Sequence, residues 1–138
     1  MIDFSSPFGK RALKRLQDEE VIWLTTTDNK GAPQPRPVWF LWDGETFLVF
    51  SQPQGYKVSH LQQNPNVAIN LNCTFTGGDV VVLLGEAEVL ASPVGEDQMQ
   101  AYLEKYKNGL KDINMTAQQF KDSYHTAIRI RPTQLRGH

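Results

Sequence analysis

The sequence predicts a mainly β fold, a six-stranded antiparallel barrel with short helices packed over its openings. Three observations point there. Six segments rich in β-branched and aromatic residues are separated by short turns of Gly, Asn, Asp and Pro. No strand–helix–strand alternation repeats, which removes the parallel sheet. The chain ends in a long extended segment able to close a sheet on itself. With 138 residues, 40% of them hydrophobic, one core is attainable without disulfide or metal staples, and a single domain over 1–138 is expected.

Ser5-Ser6-Pro7 supplies an N-cap followed by proline in the first turn, and Phe8, Ala12, Leu13 and Leu16 recur at helical spacing to about residue 18. Lys10, Arg11, Lys14 and Arg15 fill the other face, either a solvated surface or a meeting point for an anionic ligand. Residues 21–27 read as the first strand, Asp28-Asn29-Lys30-Gly31 as its turn, and residues 32–42 as the second strand. Pro33, Pro35 and Pro37 have no N–H to give a ladder, so this strand pairs incompletely on one side and leaves backbone groups for a ligand. Alternation puts Arg36, Val38 and Phe40 on one face and Pro37, Trp39 and Leu41 on the other.

Asp43-Gly44 turns the chain into a third strand over 46–51. A glycine-containing loop then feeds a short helix from Tyr56 to about Gln63, buried through Val58 and Leu61 and stopped at Asn64-Pro65-Asn66. The fourth strand covers 67–73, and its Cys73 reads as a small buried apolar group. Thr76-Gly77-Gly78-Asp79 turns into a long fifth strand over 79–90. Ser92-Pro93 starts a helix with an apolar stripe of Met99, Tyr102, Leu103 and Tyr106, read as core, and Asn108-Gly109 ends it. Thr116-Ala117-Gln118-Gln119 has capping-box spacing for one more short helix, and residues 124–135 form the last strand.

Several function classes are excluded or disfavoured. The formal charge of −1 lacks the strongly basic surface on which nucleic-acid binding relies. The longest apolar runs fall far short of the ~20 residues that span a bilayer, so no membrane association is expected. Charges at Lys10, Arg11, Lys14 and Arg15 occupy the place of a secretory signal's apolar core, so a cytoplasmic protein is expected. Cys73 is the only cysteine, which excludes intrachain disulfides and multi-cysteine zinc sites. His60, His125 and His138 show no metal spacing, and neither a dinucleotide-binding nor a Walker glycine motif is present. No Ser/His/Asp or Cys/His set is recognisable by spacing, so in an enzyme of this sequence a cofactor would carry the chemistry.

Three constellations suit an anionic, planar ligand. Ser51, the glycine loop and Lys57 combine a hydroxyl, free N–H groups at a helix start and an ammonium, the parts of a phosphate site. Arg36-Pro37-Val38-Trp39-Phe40 offers a cation and exposed backbone beside an aromatic. On the last strand Arg129 and Arg131 share a face, Arg136 follows, and no acid occurs after Asp122.

These residues carry a resemblance. Trp23-Leu24-Thr25-Thr26, Gly31-x-Pro33-x-Pro35-Arg36-Pro37-Val38-Trp39-Phe40, Ser51-Gln52-Pro53 with Lys57, and Asn64-Pro65-x-Val67-Ala68 resemble the pyridoxamine 5′-phosphate oxidase-like, flavin-binding split-barrel superfamily. The similarity continues through Gly85-Glu86-Ala87, Tyr102-x-x-Lys105-Tyr106 and Ile130-Arg131-Pro132-Thr133, and is greatest to small members classed as probable coenzyme F420-dependent oxidoreductases. The resemblance implies a six-stranded Greek-key split barrel, a homodimer with cofactor sites between the subunits, and coenzyme F420 or FMN as cofactor. It assigns Arg36 and Lys57 to the cofactor's anionic groups, Ser51 and Gln52 to the vicinity of its phosphate, and the backbone of Pro37, Val38 and Trp39 to the edge of its ring. Arg131 and Arg136 are further candidates for an acidic tail, with no catalytic side chain and no metal ligand. The pattern departs at Leu41 and Tyr56, where true pyridoxamine-phosphate oxidases carry a lysine and an arginine, which points away from vitamin B6 oxidation. An FMN-dependent reductase or oxidase and a non-catalytic flavin- or haem-binding protein are the alternatives.

Overall fold

A computed structural model describes residues 2–53 and 55–138. Seven strands, β1 (Ile22–Thr27), β2 (Pro33–Val38), β3 (Leu41–Trp42), β4 (Phe47–Ser51), β5 (Asn66–Asn70), β6 (Val81–Val89) and β7 (Thr126–Gly137), form one sheet in the order β2-β1-β5-β6-β7-β4-β3. Every pairing is antiparallel. The two edge strands of this sheet, β2 and β3, are consecutive in the chain and joined only by Trp39 and Phe40. Two residues cannot span a flat sheet, so the sheet curls until its edges meet.

That seam explains the difference from the expected strand count. Val38 pairs with Ile22 of β1, whereas Leu41 pairs with Leu48 of β4, on the other side of the curl. Residues 32–42 therefore make two strands instead of one, and the sheet has seven. Pro33, Pro35 and Pro37 sit opposite Thr27, Thr25 and Trp23. In an antiparallel pair alternate residues bond inward, so this register sends the proline nitrogens to the open edge, where no donor is required.

The alternation in β2 and β3 separates two cores. Inside the curl, Phe40, Ile22, Leu24, Phe47, Leu83, Ile128 and Ile130 pack with Ala12 and Leu16 of α1 (Pro7–Asp18) and Leu61 of α2 (Tyr56–Gln63). Ser6 caps α1 by accepting from the Gly9 N–H at 2.9 Å, with Pro7 in the first turn as expected. Outside the curl, Leu48, Phe50 and Ala127 are covered by Tyr102, Tyr106, Leu110 and Phe120. These come from α3 (Glu96–Lys105), the residue after it, α4 (Lys107–Asp112) and α5 (Ala117–Ser123), the last closed by the expected capping box at Thr116 and Gln119.

Three local expectations are corrected. Asn108-Gly109 does not end a helix but lies within α4. Packing is tight there, because a Cβ would stand 3.0 Å from the Trp39 indole. Helix α3 begins at Glu96 rather than near Ser92-Pro93, with Gly95 as its N-cap. Cys73 is exposed rather than buried in a strand, because β5 ends at Asn70 and the chain turns back through the Thr74–Gly78 hydrogen bond. Among the described residues no helix is long and apolar enough to cross a membrane.

Candidate functional site

One strand and one helix deliver the cations. Arg36 lies on β2 opposite Leu24, and cross-strand partners share a face, so its stem runs along the inner side of the curl. Lys57 stands in the first turn of α2. This helix is seated over the same end of the sheet, where the fully buried Thr26 hydroxyl and His60 Nδ1 are 2.9 Å apart. Lys57 is half-buried, and burial together with the neighbouring Arg36 charge lowers its pKa. Among the described residues neither cation has an ion-pair partner. The Arg36 Nε is buried with no hydrogen-bond partner, as is the Trp42 Nε1 elsewhere in the inner core.

The loop entering α2 is tight. Ser51, 2% exposed, ends β4 opposite Thr126, and its hydroxyl donates to the Gln52 carbonyl at 3.3 Å. Gly55, the N-cap of α2, donates its N–H to that same carbonyl at 3.0 Å. A Cβ on Gly55 would stand 3.0 Å from the Ser51 hydroxyl, so a larger residue would press on the strand end. The Gln52 side chain is exposed at the mouth of this turn.

Beside Lys57 a cleft opens between the seam and the outer helices. It is lined by Pro37, Val38, Trp39, Phe50, Lys57, Tyr102, Ile113, Phe120 and Tyr124. Trp39 is stacked flat on Tyr106 with ring centres 4.5 Å apart, while Tyr102 lies against Phe50 edge to face at 4.7 Å. Burial pushes the Tyr102 hydroxyl well above its ordinary pKa, so it remains proton-bearing and able to donate, not a base. Chemically, the arrangement offers one cation, Lys57, in the wall of an apolar, aromatic cleft, with the Arg36 charge acting on it from the inner face of β2. Such a site accommodates a flat ring system carrying an anionic group.

Of the residues singled out from sequence, the fold brings Arg36 to Lys57, sets Ser51 and Gln52 at the start of the same helix, and lines the cleft with Pro37, Val38 and Trp39. It does not bring Arg131 and Arg136 there within one chain. They lie on β7, four strands along from β2, where Arg131 pairs with Glu86 at 2.7 Å and Arg136 donates to Gln134 at 2.9 Å. Three of the four cations on the basic face of α1 are paired locally: Arg11 and Arg15 share Asp79, Arg15 also meets Glu19, and Lys14 meets Asp18 at 2.7 Å. Sequence reasoning missed Phe50, Phe120 and Tyr124 in the cleft wall and assigned Tyr102 to core alone. The signal was the tyrosine pair at i,i+4, since a hydroxyl on a buried stripe must find a partner or an opening.

The family model for pyridoxamine 5′-phosphate oxidase matches residues 8–138. The chain belongs to this family. General stress protein 26 of Bacillus subtilis is 28% identical over 109 residues, 77% of this chain and 78% of that protein. Among solved structures, an F420 reductase superposes with a TM-score of 0.67 at 22% identity, covering 89% of this chain and 94% of the other. The haem-storage protein HutZ of Vibrio cholerae superposes equally well, TM-score 0.67 at 18% identity, over 93% and 92% of the two chains. This pyridoxamine 5′-phosphate oxidase-family fold thus serves proteins described by different ligands, and the ligand must be argued from the side chains.

Proposed function

We propose that this chain is an oxidoreductase that binds coenzyme F420, or FMN in its place, and transfers hydride between that ring and a small organic substrate. One observation carries the reading. Arg36, with its buried unpartnered Nε, acts by its charge on the half-buried Lys57, neither cation has an acidic partner among the described residues, and Lys57 lines a cleft walled by aromatic rings. Two desolvated cations repel each other, and an anionic ligand converts that cost into attraction.

A bound deazaflavin or flavin supplies the hydride chemistry. The chain's own residues do the rest. Arg36 and Lys57 bind the anionic end, the arginine through its fork and the lysine as a point charge. Ser51 and Gln52 offer a hydroxyl and an amide near that end. Pro37 to Trp39 border the ring, and the apolar lining with Phe50, Phe120 and Tyr124 excludes water, which strengthens the charge contacts inside.

We also propose that two copies pair, so that Arg131 and Arg136 of the second copy approach the acidic tail of the cofactor, and that the protein works in the cytoplasm on a small molecule. The test is a titration of the purified chain with coenzyme F420, FMN and haemin, followed by tryptophan quenching. Binding of the deazaflavin or FMN at micromolar concentration or tighter is expected, and binding of haemin alone overturns the reading. Reoxidation of the reduced cofactor above the blank, over a panel of enones and quinones, separates an enzyme from a carrier. Light scattering checks the pair, which requires about twice the 15.7 kDa chain mass.

A further inference from the structure

We propose that Lys105 is a positioning residue for the cleft: together with Tyr106 it latches the Trp39–Phe40 seam, and protonation of its ammonium sets whether Trp39 stands as the aromatic wall. The proposal rests on the cofactor reading only for what occupies the cleft.

At the seam the backbone leaves both ladders, and its polar groups need other partners. They find them at the end of α3. The Phe40 N–H donates to the Tyr106 hydroxyl at 2.7 Å, and that hydroxyl has its single proton between the carbonyls of Phe40 and Glu20, each 2.7 Å away. Lys105 Nζ donates to the same Phe40 carbonyl at 2.8 Å and lies 3.7 Å from the centre of the Phe40 ring. The Tyr106 ring is the surface on which Trp39 is stacked, and the far side of the indole closes on Gly109. Two adjacent residues therefore hold the backbone of Phe40 and the ring of Trp39 at once, at the two-residue link that joins the sheet's edge strands β2 and β3.

The lysine is an unusual choice for such a latch. Among the described residues it has no ion-pair partner, and burial draws its pKa down to about 8, opposed by the Glu20 carboxylate. The charged and titratable groups that act on it are Tyr106 at its own helix end and the Glu20 carboxylate between α1 and β1, and from the seam it meets the ring and carbonyl of Phe40. A neutral amine keeps a hydrogen bond but loses the attraction of the cation for the Phe40 ring and the charge assistance of its bond to the carbonyl. An uncharged leucine or methionine would pack there without desolvation cost. A half-buried ammonium at the seam is costly, and the geometry ties that cost to the position of a cleft residue.

The test begins with the ligand-free full chain. Tryptophan fluorescence between pH 6.5 and 10 is expected to show a transition centred near pH 8 that is lost in K105R, in K105M and in the W39F control. E20Q, which removes the carboxylate that supports the charge, moves the midpoint to lower pH and serves even where a Lys105 variant fails to fold. No transition in the wild type, a transition retained in K105M, or an unmoved midpoint in E20Q overturns the latch. FMN binding at pH 7 is the second arm: K105R keeps affinity within about twofold and K105M loses at least about fivefold, the low end of coupling between linked sites. Unchanged FMN affinity in K105M overturns the positioning role. A fluorescence transition that follows Lys105 in a chain that binds neither FMN nor coenzyme F420 supports the latch and overturns the cofactor reading instead.

Discussion

Two cationic regions of this molecule are built in opposite ways. On α1, Arg11, Lys14 and Arg15 each meet an acid, and Arg15 additionally donates to the Asp79 carbonyl at 2.7 Å. At the seam end of the sheet, Arg36 and Lys57 meet no acid among the described residues and are more deeply enclosed than Lys14. A paired cation on a helix tethers that helix to a loop. Two unpaired, desolvated cations side by side destabilise the free chain and gain their partner only from outside it. Pairing, rather than the number of positive charges, separates the structural region from the candidate binding one.

The largest expected effect breaks the comparison at Lys57. Lys57→Ala is expected to weaken coenzyme F420 or FMN binding by roughly 30-fold, about 2 kcal/mol for a charge-assisted contact, while the melting temperature stays level or rises. A melting temperature that falls with no loss of affinity would move Lys57 into the structural class. Arg15→Ala is expected to do the reverse, costing about 1–2 kcal/mol of stability through its backbone contacts and shifting the melting temperature by several degrees, with cofactor affinity unchanged in a calorimetric titration.

Arg36→Lys sharpens the contrast further. It retains charge and discards the planar fork, so affinity should drop by about tenfold, less than the loss at Lys57→Ala; equal affinity in the variant would show that only net charge matters. A pH series adds the sign. Burial and Arg36 lower the Lys57 pKa in the folded chain, so the unfolded chain holds that proton more tightly at alkaline pH. Stability from this group is therefore expected to increase as pH rises from the lowered value toward the ordinary 10.5. A bound anion raises the Lys57 pKa again, so binding takes up protons in that window, which calorimetry in buffers of different ionisation heat will register. The smallest effect is at Lys14→Ala, whose pair with Asp18 is exposed and screened by solvent, so chemical unfolding is expected to be indistinguishable from that of the parent chain; a clear loss of stability would mean that the α1 face does more than tether.

Much of the fold was legible because its signals are local. Ser6 and Pro7 start α1, Thr116 and Gln119 close a capping box, and the alternation through Arg36 to Leu41 separates the inner core at Phe40 from the outer packing at Trp39 and Leu41. Cys73 and Gly109 were misread because their settings depend on where a strand ends and what lies across a helix. At the candidate site, the residue types Arg36, Ser51 and Lys57 stood out, whereas Phe120 and Tyr124 carry no local signal that singles them out.

By itself the sequence determined the antiparallel strands, their turns, the helix caps and the excess of cations without neighbouring acids around Arg36 and Lys57, since each follows from spacing within a few residues. Only the tertiary structure decided that the sheet's two edges join at Trp39 and Phe40, that Lys105 and Tyr106 hold that junction, and that Lys57 comes to Arg36 beside the aromatic cleft. The reason is that strand order and curl bring distant segments together through backbone pairing, and no local periodicity specifies which edge a strand joins.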